Sequence, residues 1–188
     1  IDVIEQEATE DMLRLASVTG AERILSPLRR SFRSRSPWLA LNLATVLLAA
    51  TVINVFESTI ASAAFLAIFL PMVASQGGVA SSQTVTLVTR GLALGELSFA
   101  NTRQVLLKEL LLGIINGLII GLIAGALAYG WKGNAELGLV VGLAMVLNLI
   151  VAGVFGALVP LLLKAVRLDP ALGSVVLVTT ITDVAGFT

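Results

Sequence analysis

With 188 residues, 57% of them hydrophobic and 13% charged, the chain carries more apolar surface than a soluble domain of this size can hide, and it is read as a membrane protein. It has no Cys and no His, which excludes disulfides, thiolate metal sites and histidine bases. A bound metal must then accept oxygen ligands, as Mg²⁺ or Ca²⁺ does.

Residues 1–20 are polar and acidic, with Glu5, Glu7, Glu10 and Asp11 within seven positions. Thr9 to Leu15 reads as helical, with acids in the first turn where the helix dipole favours them. This segment is expected to be the end of a cytosolic domain that lies outside the sequence. The chain starts without Met and stops inside an apolar run, so it is taken as a piece of a longer protein.

Residues 21–36 contain Arg23, Arg29, Arg30, Arg33 and Arg35, with Ile24, Leu25, Leu28 and Phe32 at helical spacing. That pattern predicts a basic amphipathic helix at a membrane surface. Residues 37–188 then form the expected transmembrane domain. Trp38 to Phe56 is uncharged and long enough to cross a bilayer, with Trp38 at the interface position. Ser58 to Thr89 is also uncharged but carries Pro71 and "SQGGVASSQ". It is predicted to be a helix broken within the membrane, unwound near Gly77 and Gly78, because irregular backbone survives at that depth only inside protein or beside water. Leu110 to Trp131 and Leu137 to Leu163 are the third and fourth spans, and Pro170 opens a fifth that the sequence leaves incomplete. With the N-terminal side inside, the inner flanks hold ten Lys and Arg residues and the outer loops only Lys132, which sets that orientation.

In the third span Gly113, Gly117, Gly121 and Gly125 recur every fourth residue and predict close packing against another helix. Asn42, Asn54, Asn116 and Asn148 are single amides within spans, expected to hydrogen-bond between helices.

Asp183 is the candidate for chemistry. It lies thirteen residues after Pro170, roughly 20 Å along a helix. An ionisable group at that depth is a functional-site hypothesis by default. Its alternative is a structural hydrogen bond to a neighbouring helix. Thr179, Thr180 and Thr182 add hydroxyls, and Thr179 shares a face with Asp183. The carbonyl of Thr179 would be free only if the helix loosened there. Ser81, Ser82 and Gln83 offer further polar groups, and Glu57 stands at the outer end of the first span.

Three stretches together resemble the MgtE family of magnesium channels and transporters: "DVIEQEATEDMLRLASV", "FLPMVASQGGVASSQTVTLVTRGLALGEL" and "DPALGSVVLVTTITDVAGF". The resemblance runs over essentially the whole chain. It implies an all-α, five-span homodimer in the plasma (inner) membrane, with a pore near the two-fold axis lined by the second and fifth spans. It implies a plug helix at about residues 22–35, joined to cytosolic N and CBS domains absent from this sequence. It further implies that Asp183 holds hydrated Mg²⁺ with the Thr179 carbonyl near it, and that Pro71, Gly77, Gly78, Val79, Gln83 and Thr180 line the pore. Glu57, at the outer end of the first span, is the candidate for the pore entrance, its alternative being a plain interfacial boundary residue. Glu7, Glu10 and Asp11 match positions of regulatory Mg²⁺ sites that close the pore. The family's second-span signature usually reads GGN-x-G-N-Q. Here Val79 and Ser82 replace the asparagines, and Ser81 the glycine between them.

The resulting expectation is a Mg²⁺ channel or transporter, not an enzyme, with membrane lipid and divalent cations as partners and no nucleic acid. The alternatives are a transporter or exchanger for another cation, such as Co²⁺, Mn²⁺ or a Na⁺-coupled system, and a non-conducting paralogue. An intramembrane aspartyl protease is disfavoured, because it needs a second aspartate sharing a proton.

Overall fold

A computed structural model describes residues 10, 13–16, 18, 22–56, 64–171 and 173–187. Five α-helices dominate it: α1 (Leu28–Val55), α2 (Leu70–Ala93), α3 (Thr102–Lys132), α4 (Ala135–Ala165) and α5 (Ser174–Phe187). Short 3₁₀ turns, Ala64–Ile68 and Phe99–Asn101, precede α2 and α3. The first four helices, with the turn before α2 counted in, are long and apolar enough to cross a membrane, whereas α5 has 14 described residues.

The centre of the bundle is the α3–α4 hairpin. Gly133, at φ 65°, ends α3 in the left-handed conformation that a side chain would strain. The Asn134 side chain then caps α4 by accepting from the amides of Glu136 (2.9 Å) and Leu137 (3.2 Å). Along the seam the four-residue glycine repeat behaves as the sequence predicts. A Cβ on Gly121 would stand 2.7 Å from the Gly142 carbonyl oxygen, and one on Gly125 would stand 2.6 Å from that of Gly138. Gly113 and Gly117 meet the α4 backbone in the same way. The helices touch backbone to backbone, which gains dispersion energy where lipid offers no hydrophobic driving force.

Helix α2 packs on α4, and α5 lies against both. Phe69 and Val73 join Ala124, Ala128, Leu137, Val141, Met145 and Leu149 in one apolar cluster. At the other end of the same helices, Val88, Leu92 and Leu97 meet Ala157 and Leu161. The outward faces are apolar too, with Leu122, Leu127, Leu139 and Leu147 all exposed. A continuous apolar exterior of this kind needs lipid as solvent.

Two expectations are corrected here. The basic segment 21–36 is not a separate helix: α1 runs unbroken from Leu28 through Pro37 to Val55. The second span is not unwound at Gly77 and Gly78. Its interruption lies earlier, at the 3₁₀ turn and Phe69, and Pro71 sits in the first turn of α2. There the missing N–H is one that a helix start leaves unbonded in any case.

Helix α1 is loosely held. It packs on α5 and buries only Thr45 and Ala49. Before it, Glu22 is covered by Arg35, whose guanidinium donates to its carboxylate at 2.8 Å. Further upstream, Arg14 links Glu10 to Asp169 of the α4–α5 connection, and Leu15 packs beside Val85, Val159 and Val178. Glu10, Arg14 and Leu15 therefore sit at the end of the bundle where α5 begins.

Candidate functional site

The glycine pair of α2 explains how α2, α4 and α5 come together. Asn148 on α4 is fully buried and donates its side-chain amide to the Val73 carbonyl at 2.7 Å. Room for that amide exists because Gly77 and Gly186 lack side chains. A Cβ on Gly77 would stand 2.9 Å from the Asn148 oxygen, and one on Gly186 would stand 3.2 Å from its nitrogen. The interhelical bond expected for Asn148 is present, and the glycines read as points of unwinding are instead points of close approach.

Next to this junction lies an open groove between α2 and α5. It is lined by Ser75, Gly78, Val79, Ser82, Gln83 and Thr86, with Thr179 across from them. Gly78 faces the Thr179 methyl at a distance a Cβ would reduce to 3.9 Å. Hydroxyls and an amide on an outer helix face are costly against lipid, so this side of α2 is built to meet water or protein. Val79, 54% exposed, is an apolar interruption in that wall. Ser81 is not on it: the side chain is buried and donates to the Gly78 carbonyl at 3.0 Å.

Asp183 is half-buried on α5, one turn beyond Thr179 on the same face. It lies nine residues from the start of the helix, about 14 Å along it. The neighbouring hydroxyls are turned to backbone: Thr179 and Thr180 both donate to the Val176 carbonyl, at 3.0 and 2.7 Å. The Thr179 carbonyl accepts from the Thr182 hydroxyl at 2.9 Å within an unbroken helix. It is thus engaged, and the loosening that would free it is absent from α5. Pro71 is exposed at the start of α2, one and a half turns before Gly77.

Of the remaining candidates, Glu57, Glu7 and Asp11 lie outside the described residues. Glu10 is paired with Arg14, and among the described residues no three acids gather as a metal cluster.

One carboxylate escaped sequence reasoning. Glu109, near the start of α3, is 6% exposed and accepts a hydrogen bond from Thr84 of α2 at 2.9 Å. Its neighbour Lys108 lies 3.6 Å from the other carboxylate oxygen and is itself largely exposed. In sequence the Lys-Glu pair looks like the polar edge of a span, and only the partner 25 residues away marks Glu109 as buried.

An apolar helical bundle with four helices long and apolar enough to cross a membrane defines a polytopic membrane protein. Comparison with known sequences gives the family. The profile of MgtE, described as divalent cation transporter, matches residues 70–188, and the chain belongs to that family. Three curated relatives are each named magnesium transporter MgtE. That of Thermus thermophilus is 34% identical over 188 residues, covering 99% of this chain and 42% of its own length. That of Enterococcus faecalis is 33% identical over 183 residues, covering 97% and 40%. That of Bacillus subtilis is 30% identical over 184 residues, covering 98% and 41%. The chain thus spans about two fifths of the length of these relatives.

Proposed function

We propose that this chain is the membrane pore of a magnesium transporter, passing hydrated Mg²⁺ along the α2–α5 groove of a homodimer past Asp183. The observation that supports it most is the groove itself: Ser75, Ser82, Gln83 and Thr86 on α2 facing Thr179, with Asp183 one turn away. Mg²⁺ gives up its waters reluctantly and is held through one or two carboxylates with most of its shell intact. A path for it needs few direct ligands and many groups that hydrogen-bond to water. Serine, threonine and glutamine side chains supply those bonds, and a two-fold axis would double them and bring two Asp183 carboxylates to one ion.

In this reading the Arg-rich end of α1 is cytosolic, the membrane is the plasma membrane, and Glu57 marks the outer entrance. Glu7, Glu10 and Asp11 belong to cytosolic Mg²⁺ sites formed with domains beyond this sequence. With Mg²⁺ bound there, the basic turns of α1 draw against the pore. Arg14, tying Glu10 to Asp169 beside α5, gives that signal a path to the helix that carries Asp183.

The test is Mg²⁺ uptake into proteoliposomes, with Co²⁺ as competitor. Asp183→Asn keeps the shape and removes the charge, and is expected to lower uptake by at least tenfold and to weaken Co²⁺ competition. Unchanged uptake and competition in Asp183→Asn would remove the assignment. Val79 on the groove wall favours a second reading, a carrier of another dication. Uptake of Mn²⁺ or Co²⁺ with no uptake of Mg²⁺ would select it.

A further inference from the structure

Beside the groove lies a small chamber between α2, α3 and α4, of about 110 Å³. Its polar lining is Gln83 and Thr84 from α2 with Glu109 and Asn116 from α3, and Gly113 and Gly153, where α3 and α4 touch backbone to backbone, border it. Gln83 and Leu87 line both this chamber and the α2–α5 groove, so a single side-chain layer separates the two. Its volume is enough for several water molecules.

Glu109 is not explained by packing. Its side chain is 8% exposed, and one oxygen has the Thr84 hydroxyl as partner. The other has Lys108, at 3.6 Å and on the exposed side. Both oxygens thus have a partner, but the ammonium stands on the solvent side, and a cation in the chamber would meet the carboxylate from the buried side. The surrounding groups are oxygen-bearing amides and a hydroxyl, the donor set of a hard cation that keeps water.

We propose that Glu109 forms a second divalent-cation site, distinct from Asp183, in which a hydrated dication is held in the side chamber by the Glu109 carboxylate, Thr84, Asn116 and Gln83. Gln83 is the shared wall across which the cation passes to or from the groove. This inference rests on the transport reading for its cargo, and it assigns a resting place close to the Arg-rich ends of the helices.

The experiment counts Mn²⁺, detected by electron paramagnetic resonance and displaced by Mg²⁺, on the full chain in nanodiscs. Asp183→Asn is the background, so the groove site and the acidic N-terminal segment contribute equally throughout. Adding Glu109→Gln is expected to remove one displaceable Mn²⁺ per chain, and adding Thr84→Val to weaken that ion severalfold, with a cooperative thermal transition kept in both. A folded Glu109→Gln protein that binds as many Mn²⁺ as its background overturns the proposal, even if its uptake is impaired. Should Glu109→Gln not fold, Glu109→Asp carries the test: the ion is retained with severalfold lower affinity, and an unchanged affinity overturns the site. Absent Mg²⁺ uptake by the unmutated chain, with the Glu109-dependent ion still counted, would refute the transport reading and leave this site standing.

Discussion

The side-chain amide of Asn148 reaches from α4 to the Val73 carbonyl of α2, 2.7 Å away, through an opening left by Gly77. That contact fixes the inner side of the helix whose outer side forms the groove. Gly77→Val fills the opening and is expected to destabilise the bundle by about 1–3 kcal/mol, the usual cost of overpacking. Asn148→Ala loses the bond without adding bulk, about 0.6–2 kcal/mol in a membrane setting for the bond itself. Thermal unfolding in detergent ranks the two, and Gly77→Val is the more damaging.

The glycine seam gives a paired prediction. Gly125→Ala places a methyl 2.6 Å from the Gly138 carbonyl oxygen, a backbone atom that cannot step aside. Gly130→Ala meets nothing within 4 Å. Both substitutions gain up to about 1 kcal/mol of helix propensity. Gly130→Ala is therefore neutral or stabilising, whereas Gly125→Ala loses about 1–3 kcal/mol through the clash. Equal melting temperatures for the two variants would contradict the backbone contact.

The Glu22–Arg35 pair predicts a pH response before the first span. The Arg35 hydrogen bond holds the Glu22 carboxyl below its ordinary value. A depressed value means that the pairing contributes fully above the unfolded-state value, near 4.3 for a glutamate, and is lost as pH falls through the lower folded one. Carbon-13 NMR of the Glu22 carboxyl should show a midpoint below that of a free glutamate. Arg35→Gln should move it upward.

Much of this architecture is legible in the residues, and the failures have physical causes. The glycines of α3 were readable because a four-residue period puts them on one face. Asn148 was readable as an interhelical donor because a lone amide in an apolar span has few other partners. The second span was misplaced because Pro and Gly mark a change in backbone without saying which kind. Pro71 begins a helix, and Gly77 admits a neighbour's amide. Glu109 was missed because its burial depends on Thr84, from a different helix. Asp183 was conspicuous for the opposite reason, being an acid with apolar residues and threonines on both sides.

Pro37 falls where the arginine-bearing turns of α1 give way to its apolar length. Having no N–H, it cannot donate to the Arg33 carbonyl one turn back, and its ring crowds that carbonyl. The ladder is thus weakest at the level where the helix would enter lipid, and bending there disturbs few packed side chains. Pro37 therefore divides α1 into basic turns tied to Glu22 through Arg35 and an apolar length seated on the bundle through Thr45 and Ala49.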